Sequence, residues 1–585
     1  MALYHNSRSQ ACRNPVGPVK AGTEITIRLL GASGTLSAEM RTWYNKKHRI
    51  IPLERLHDDT WGTTVTFLKD PGLFWYDFRI IDANGQERFV GSAPDGLGGE
   101  GVETDRPTAF QVTVYEPDYA VPPVFRDGIM YQIFPDRFFR SKMPKSPRKE
   151  IYLHEKWDEM PIMMPNSRTD NQAMDFFGGD LEGIRQKLSY LKSLGVTVLY
   201  LNPIFEARSN HRYDTGDYTK IDPLLGTEAD FKRLCEEARE MGISVILDGV
   251  FNHTGDDSIY FNRYGTYPEK GAYQSKKSKW YKWYTFKKFP DQYDCWWGID
   301  NVPTVNKSNE EFRRFIMGKD GIVARWLRAG ASGWRLDVAD ELPMDMLREI
   351  RRRAKAEKPD SILLGEVWED ASHKEVWGET RCYCTGDTLD SVMNYPLREA
   401  LLAFLTFRAS SAQLRRLIES QQENYAPAFY YSIMNLLGSH DRPRTINTLA
   451  GKTFDEMSVK DRPFAKLTEE ELALGKARYL DMLRIVCALP GIPCVYYGDE
   501  AGLWGAADPY NRGTYPWGHE DESMIESVRE ILKNRAESRI LKTGHLSVVT
   551  PDDDTISIIR HIDDNHDVFG EQAENGTVCV TVRRK

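Results

Sequence analysis

At 585 residues the chain is longer than one hydrophobic core usually supports, so roughly two to four domains are expected. Its 41% hydrophobic and 28% charged residues are ordinary for a globular protein, and a net charge of −9 removes any general electrostatic reason to bind nucleic acid or an anionic membrane. No run of about 18 apolar residues occurs, and Met1-Ala-Leu-Tyr-His-Asn-Ser-Arg8 lacks the apolar stretch of a secretory signal, so a soluble, cytoplasmic protein is expected. Eight cysteines in so long a chain make no disulfide framework, and the Cys382/Cys384 pair has no second pair to complete a zinc signature.

From Thr23 to about Tyr115, short alternating runs such as Glu24-Ile-Thr-Ile-Arg-Leu-Leu30 and Leu73-Phe-Trp-Tyr-Asp-Phe-Arg-Ile-Ile81 are separated by Gly, Asp and Pro. They predict an N-terminal β-sandwich over residues 1–122. Glu116-Pro-Asp-Tyr-Ala-Val-Pro-Pro-Val124 reads as a linker, because paired prolines cannot continue a ladder.

Helical stripes then alternate with short apolar strands. Leu181, Ile184, Leu188 and Leu191 make one stripe, stopped by Gly195; Phe231, Leu234, Cys235, Ala238 and Met241 make another, stopped by Gly242. Eight strands are predicted within Met130–Phe138, Val196–Asn202, Ser244–Asn252, Gly333–Val338, Ile362–Trp368, Ser391–Tyr395, Met434–Ser439 and Ile492–Tyr497. Eight fits a catalytic (β/α)8 TIM barrel over residues 123–541, and no G-x-G-x-x-G supports the doubly wound alternative. After the third strand, residues 254–310 break the rhythm with aromatic-rich text, Trp280-Tyr-Lys-Trp-Tyr284 and Cys295-Trp-Trp-Gly298, expected either to face a site or to form the insertion's own core. A helix near Met524–Leu541 precedes a short C-terminal β segment, residues 542–585, with strands Thr555–Ile562 and Thr577–Arg583; whether this segment is complete is left open.

Four polar strings stand at strand ends: Asp248-Gly-Val-Phe-Asn252-His253, Gly333-Trp-Arg335-Leu-Asp337-Val-Ala-Asp340-Glu341, Gly365-Glu366-Val-Trp368 and Leu436-Leu-Gly-Ser-His440-Asp441. A barrel builds its site where strands end, so these converge on one mouth. A period of two puts Arg335 and Asp337 on one face, and the guanidinium predicts a fixed anion at Asp337. Glu366 lies beside Val367 and Trp368, apolar neighbours that predict a proton donor. One charged and one protonated carboxyl, expected roughly 5–5.5 Å apart, suit glycosidic cleavage with retention. The spacings of a metal-dependent hydrolase, His-x-His or His-Glu-x-x-His, are absent.

The four strings, with Tyr131-Gln-Ile-Phe-Pro-Asp-Arg-Phe138, Asn210-His-Arg-Tyr-Asp214, Met393-Asn-Tyr-Pro396 and Gly491–Glu500, resemble the α-amylase superfamily, glycoside hydrolase family 13, in its neopullulanase, cyclomaltodextrinase and maltogenic amylase group. The resemblance spans about Gly128 to Trp517. It implies Asp337 as nucleophile, Glu366 as acid/base, Asp441 as the third carboxylate, and Tyr213, His253, Arg335 and His440 as substrate-binding residues. It further implies an enzyme cleaving α-1,4 bonds in starch, maltooligosaccharides, pullulan or cyclodextrins. The alternatives are a 4-α-glucanotransferase or α-glucosidase of the same superfamily and, more remotely, a non-catalytic glucan-binding protein. The N-terminal sandwich resembles the group's starch-binding-like domain, which supports dimers, so a homodimer is expected. No organic cofactor is required.

Two departures and one altered loop stand out. Arg442 follows the His-Asp pair where Thr is frequent, and Asp340 precedes Glu341 where Asn is common. Phe139-Arg-Ser-Lys-Met-Pro-Lys145 occupies the loop that is Asn- and Asp-rich in calcium-binding relatives. Lys and Arg cannot ligate calcium. Gly179 and Asp180 match the distal half of that site, and Asn252 suits another, so calcium stays an open expectation.

Overall fold

The structure is a computed structural model that describes residues 3–144, 150–162, 173–458 and 461–585; Lys145 lies outside the described residues. Up to Tyr115 the chain forms a sheet of four strands and a sheet of seven. Alternation sets their facing sides: Ile25, Ile27 and Leu29 on one strand, Phe74, Tyr76, Phe78 and Ile80 on another, all buried. They meet Met40, Trp61 and Phe110 in a single core, which makes a sandwich. The expected linker is pinned rather than free. The Glu116 N–H donates to the Thr385 carbonyl at 2.9 Å, and the Tyr119 hydroxyl donates to the Leu389 carbonyl at 3.1 Å. Glu423 of the barrel pairs with both Arg8 and Arg13 of the sandwich, at 2.8 and 3.1 Å.

All eight predicted barrel strands form: β1 Met130–Ile133, β2 Val198–Leu201, β3 Ser244–Gly249, β4 Gly333–Leu336, β5 Ile362–Gly365, β6 Ser391–Val392, β7 Met434–Leu436 and β8 Ile492–Tyr496. They run parallel in the order β6-β5-β4-β3-β2-β1-β8-β7, and a parallel bridge from Met393 to Met434 brings the two ends together. Period two divides each strand between two environments. Met130, Val198, Tyr200, Ile246, Leu364, Met434 and Ile492 fill the interior, whereas Tyr131, Leu199, Val245, Trp334, Leu363 and Val495 pack outward against the helices.

Between β2 and β3, the helix Glu228–Glu240 opens on a capping box of Thr227 and Asp230 and buries Phe231, Leu234, Cys235 and Ala238. Gly242, in the left-handed region at φ 74°, ends the turn that follows. The earlier stripe is broken: Leu181–Gln186 and Leu188–Ser193 are separate helices. Lys187 leaves helical geometry between them, where its ammonium packs 3.8 Å from the centre of the Trp517 ring. The four stripe residues stay buried regardless.

The strands stop earlier than their apolar text predicts: β3 at Gly249, β4 at Leu336 and β5 at Gly365. Asp337 and Glu366 are therefore the first residues beyond β4 and β5. In the insertion, Trp280, Trp283, Tyr284 and Tyr293 are buried, while Trp296 is half-buried and Trp297 exposed, so both expected uses of its aromatics occur. At the C-terminal end, helices Glu522–Glu537 and Arg539–Thr543 lead into an antiparallel sheet of His545–Asp552, Thr555–Ile562 and Gly576–Arg583. The first of these strands escaped sequence reading because only Leu546 and Val548 are buried in it. Among the described residues no helix is long and apolar enough to cross a membrane.

Candidate active site

Above the apolar filling of the barrel, the inward phase of β3 and β4 carries Asp248 and Arg335, both fully or almost fully buried. The Arg335 guanidinium holds three carboxylates. Nη1 lies 2.8 Å from Asp248 Oδ1 and 2.7 Å from Asp337 Oδ1, and Nη2 lies 2.9 Å from Glu366 Oε2. The second oxygen of Asp248 accepts the hydroxyls of Tyr200 and Tyr213 at 2.7 and 2.8 Å. Asp337 and Glu366 are thus placed within hydrogen-bonding reach of one planar group, each only 6% exposed.

The chain pays a conformational cost to make this turn. Val338 takes φ 38° and ψ 56°, a left-handed conformation that a β-branched residue adopts at a cost of about 1–3 kcal/mol. That turn aims the Val338 N–H at Glu366 Oε2, 2.8 Å away. The other oxygen accepts the Trp368 indole N–H at 3.1 Å. Glu366 is therefore surrounded by donors, which corrects the expected apolar pocket: Trp368 meets it through its nitrogen. The Trp368 ring stacks flat on Tyr395, centroids 4.0 Å apart, and the Arg442 guanidinium lies 4.5 Å from the Trp368 centroid. The departure at Arg442 thus caps an aromatic pile beside the acids.

Burial pushes the Asp337 carboxyl well above the usual range; Arg335 opposes the shift, and the charges of Glu366 and Asp248 add to it. Burial likewise raises Asp248 against the pull of Arg335. Arg335 alone therefore does not set the charge on Asp337: burial opposes ionisation, and the one cation is shared by three carboxylates.

The histidines are held neutral. Burial lowers His253 and His211 to about 3 and His440 well below its ordinary value, with nearby Lys307 or Arg512 adding to the effect. The Gln132 amide donates to His440 Nδ1 at 2.9 Å, so the proton sits on Nε2, which faces the Tyr213 hydroxyl at 2.7 Å and Asp441 Oδ1 at 3.3 Å. The Tyr213 ring stacks on His440 at 5.2 Å and 4°, and its hydroxyl belongs to the Asp248 network. His253 stacks on Trp296 at 5.5 Å.

Tyr213, His253, Asp337, Glu366, His440 and Asp441 line one cavity of about 1080 Å³, with Arg335 buried beneath it. The structure brings together all seven residues singled out from the sequence. It adds Asp248, His211 and Arg512. Asp248 stands in one of the four polar strings, but only the β3–β4 register sets it opposite Arg335; Arg512 lies in irregular text after β8 and carried no signal. His211 sits in the string Asn210-His-Arg-Tyr213, and its Nδ1 accepts the Tyr213 N–H at 3.0 Å, leaving Nε2–H as a further donor.

Asp180 caps a helix. Its oxygens accept the Gly183 N–H at 2.5 Å and the Ser141 hydroxyl at 2.6 Å, at the start of Leu181–Gln186. Among the described residues no group of three or more His, Cys, Asp or Glu side chains is arranged to hold a metal ion.

Comparison with known proteins agrees with this geometry. The chain is 36% identical over 635 aligned positions to an amylopullulanase of Thermoanaerobacterium saccharolyticum; the alignment takes in all of this chain but spans only 48% of that protein's length. It is 32% identical to a cyclomaltodextrinase of Geobacillus thermopakistaniensis, over 80% of this chain and 70% of that one. Among solved structures, the ligand-free cyclic α-maltosyl-(1→6)-maltose hydrolase of Arthrobacter globiformis superposes with a TM-score of 0.64 at 28% identity, covering 79% of this chain and all of the other. Residues 132–542 match the alpha amylase catalytic domain, and the chain belongs to that family, glycoside hydrolase family 13.

Proposed function

We propose that this protein is a retaining α-glycoside hydrolase that cleaves α-1,4-glucosidic bonds in starch-type glucans, maltooligosaccharides, pullulan or cyclodextrins. The observation that carries the reading is the placing of Asp337 and Glu366 on one guanidinium, in the cavity that Asp441 also lines. The ionised Asp337 attacks the anomeric carbon while Glu366 gives its proton to the departing oxygen, forming a glycosyl ester on Asp337. Glu366 then takes a proton from the incoming water, and the ester bond breaks at the anomeric carbon. Arg335 stabilises the anion that Asp337 must become, against the burial that opposes it. Neutral His211 and His253 offer hydrogen-bond donors to the sugar hydroxyls, and neutral His440 holds the Tyr213 hydroxyl beside them, without adding positive charge near an oxocarbenium-like transition state.

Hydrolysis of maltotriose, a cyclodextrin and pullulan, followed by product analysis and by the anomeric configuration of the first product, tests the reading. Release of the α-anomer is expected; an inverted anomer, or no turnover of any of the three, overturns it. Products longer than the substrate would show a sugar, rather than water, as the main acceptor.

A cytoplasmic location and a homodimer formed through the sandwich belong to the same proposal. Eight free cysteines suit a reducing compartment, and Ile50 and Leu56 leave apolar surface on the sandwich at 53% and 43% exposure. Cell fractionation and sedimentation equilibrium test the two.

A further inference from the structure

Two Trp-Gly pairs face the cavity mouth from opposite sources in the chain. Trp377-Gly378 forms the two-residue tip of the hairpin Lys374–Val376 and Glu379–Arg381, in the long loop after β5, with φ of 48° and 79°. Trp297-Gly298 lies in the insertion after β3, with φ of 50° and 81°. Positive φ at both central residues is the geometry of a type I′ turn, whose first position Asn, Asp or Gly takes at the least cost. Tryptophan there is the wrong residue for the turn.

Both side chains also stay in water: Trp377 is 75% exposed and Trp297 81%, the most exposed large apolar side chains among the described residues apart from Phe464 at 76%. Each therefore combines backbone strain with an unburied indole, and each lines the cavity that holds Asp337, Glu366 and Asp441. Their supports are rigid. The Arg381 guanidinium, at the base of the hairpin, donates to the carbonyls of Asp340 at 2.8 Å and Leu342 at 3.0 Å, and the Tyr383 hydroxyl donates to Asp340 Oδ1 at 2.7 Å. Trp296, next to Trp297, is tied by its N–H to the Val302 carbonyl at 3.1 Å and stacks on His253. A Cβ at Gly298 or Gly378 would meet nothing within 4 Å, so the space around both tips is open.

We infer that Trp377 and Trp297 are stacking faces at the rim of the site for glucose rings lying beyond the scissile bond, and that they favour long glucan chains over short oligosaccharides. The apolar C–H faces of a glucose ring match a flat indole, and a wide ring face held on a short, anchored turn loses little freedom on binding. Asp337 and Glu366, by contrast, are almost enclosed, so a long chain leaving the pocket passes the exposed rim. This specificity reading rests on the proposed glucan activity.

The test compares wild type with Trp377→Ala, Trp297→Ala and Trp377→Phe. The ratio of KM for amylopectin to KM for maltotriose is expected to rise at least about fivefold in each alanine variant, with Trp377→Phe close to wild type because it keeps a ring. In an Asp337→Asn background, retardation in native gels cast with amylopectin is expected to fall on Trp377→Ala and to survive Trp377→Phe. An unchanged ratio with unchanged retardation overturns the inference, as does a change of oligomeric state in the alanine variants, which would make the tips a protein contact. If wild type turns over neither substrate, the proposed activity fails, whereas gel retardation still reads the stacking role.

Discussion

Arg335 and Asp248 form a fully buried ion pair, Nη1 to Oδ1 at 2.8 Å, and the same Nη1 reaches Asp337 at 2.7 Å. Asp248 thus positions the guanidinium that serves the proposed nucleophile. Asp248→Asn keeps the shape but removes the charge that orients and balances Arg335, so kcat on maltotriose is expected to fall by roughly 10²-fold, since misplacing a catalytic group by an ångström costs about that much. Arg335→Met should be worse, because it leaves three buried carboxylates without their cation; a stability loss of about 3–5 kcal/mol is expected in urea unfolding. Near wild-type kcat in Asp248→Asn would dismiss its positioning role.

Asp337→Asn and Glu366→Ala separate the two proposed roles. The first removes the nucleophile, and turnover of any substrate is expected to drop by at least about 10⁴-fold with the melting curve retained. The second leaves the glycosyl ester able to form from an activated fluoride, which needs no proton, so added azide should displace that ester, restore turnover and yield an α-glycosyl azide. Azide rescue of Asp337→Asn instead, with none for Glu366→Ala, would exchange the assignments.

Glu500, at the end of β8, is buried and accepts the hydroxyls of Tyr131 at 2.6 Å and Tyr190 at 2.9 Å, yet burial raises it to about 7. A raised carboxyl contributes stability that is complete below its unfolded value near 4.5 and is lost as pH climbs through about 7. Glu500→Gln abolishes that loss. The melting temperature of the variant relative to wild type should therefore rise between pH 5 and pH 9, by the equivalent of roughly 3 kcal/mol at most. Parallel curves at the two pH values would show that Glu500 does not titrate in this range.

Asp180 is held by Gly183 and Ser141 as a helix cap, so EDTA is expected to leave the melting temperature unchanged. A drop of several degrees, reversed by calcium, would show that the ion displaces those partners.

The eight barrel strands were legible because each carries an apolar run set in a βα rhythm, and six of the seven site residues because they stand in dense polar strings at those strand ends; Tyr213 was reached only through the family resemblance of Asn210-His-Arg-Tyr-Asp214. The surroundings of Glu366 were not legible. Val367 and Trp368 look apolar as text, but whether an indole offers its face or its N–H depends on its rotamer, and stacking on Tyr395 decides that. The forces acting on Asp337 were not fully legible for a related reason: the strand period shows Arg335 beside it but not that Asp248 and Glu366 claim the same guanidinium.

What the sequence by itself determined is the inventory: a β-rich N-terminal unit, eight parallel strands, and acids and histidines at their ends, all of which follow from local periodicity. Only the tertiary structure decided how those groups act on one another. Bringing Asp337, Glu366 and the indoles of Trp297 and Trp377 around one cavity, with Asp248 and Arg335 buried beneath, requires strand closure and loop packing between segments far apart in the chain. Burial, which shifts the carboxyls and keeps the histidines neutral, exists only once that packing has excluded water.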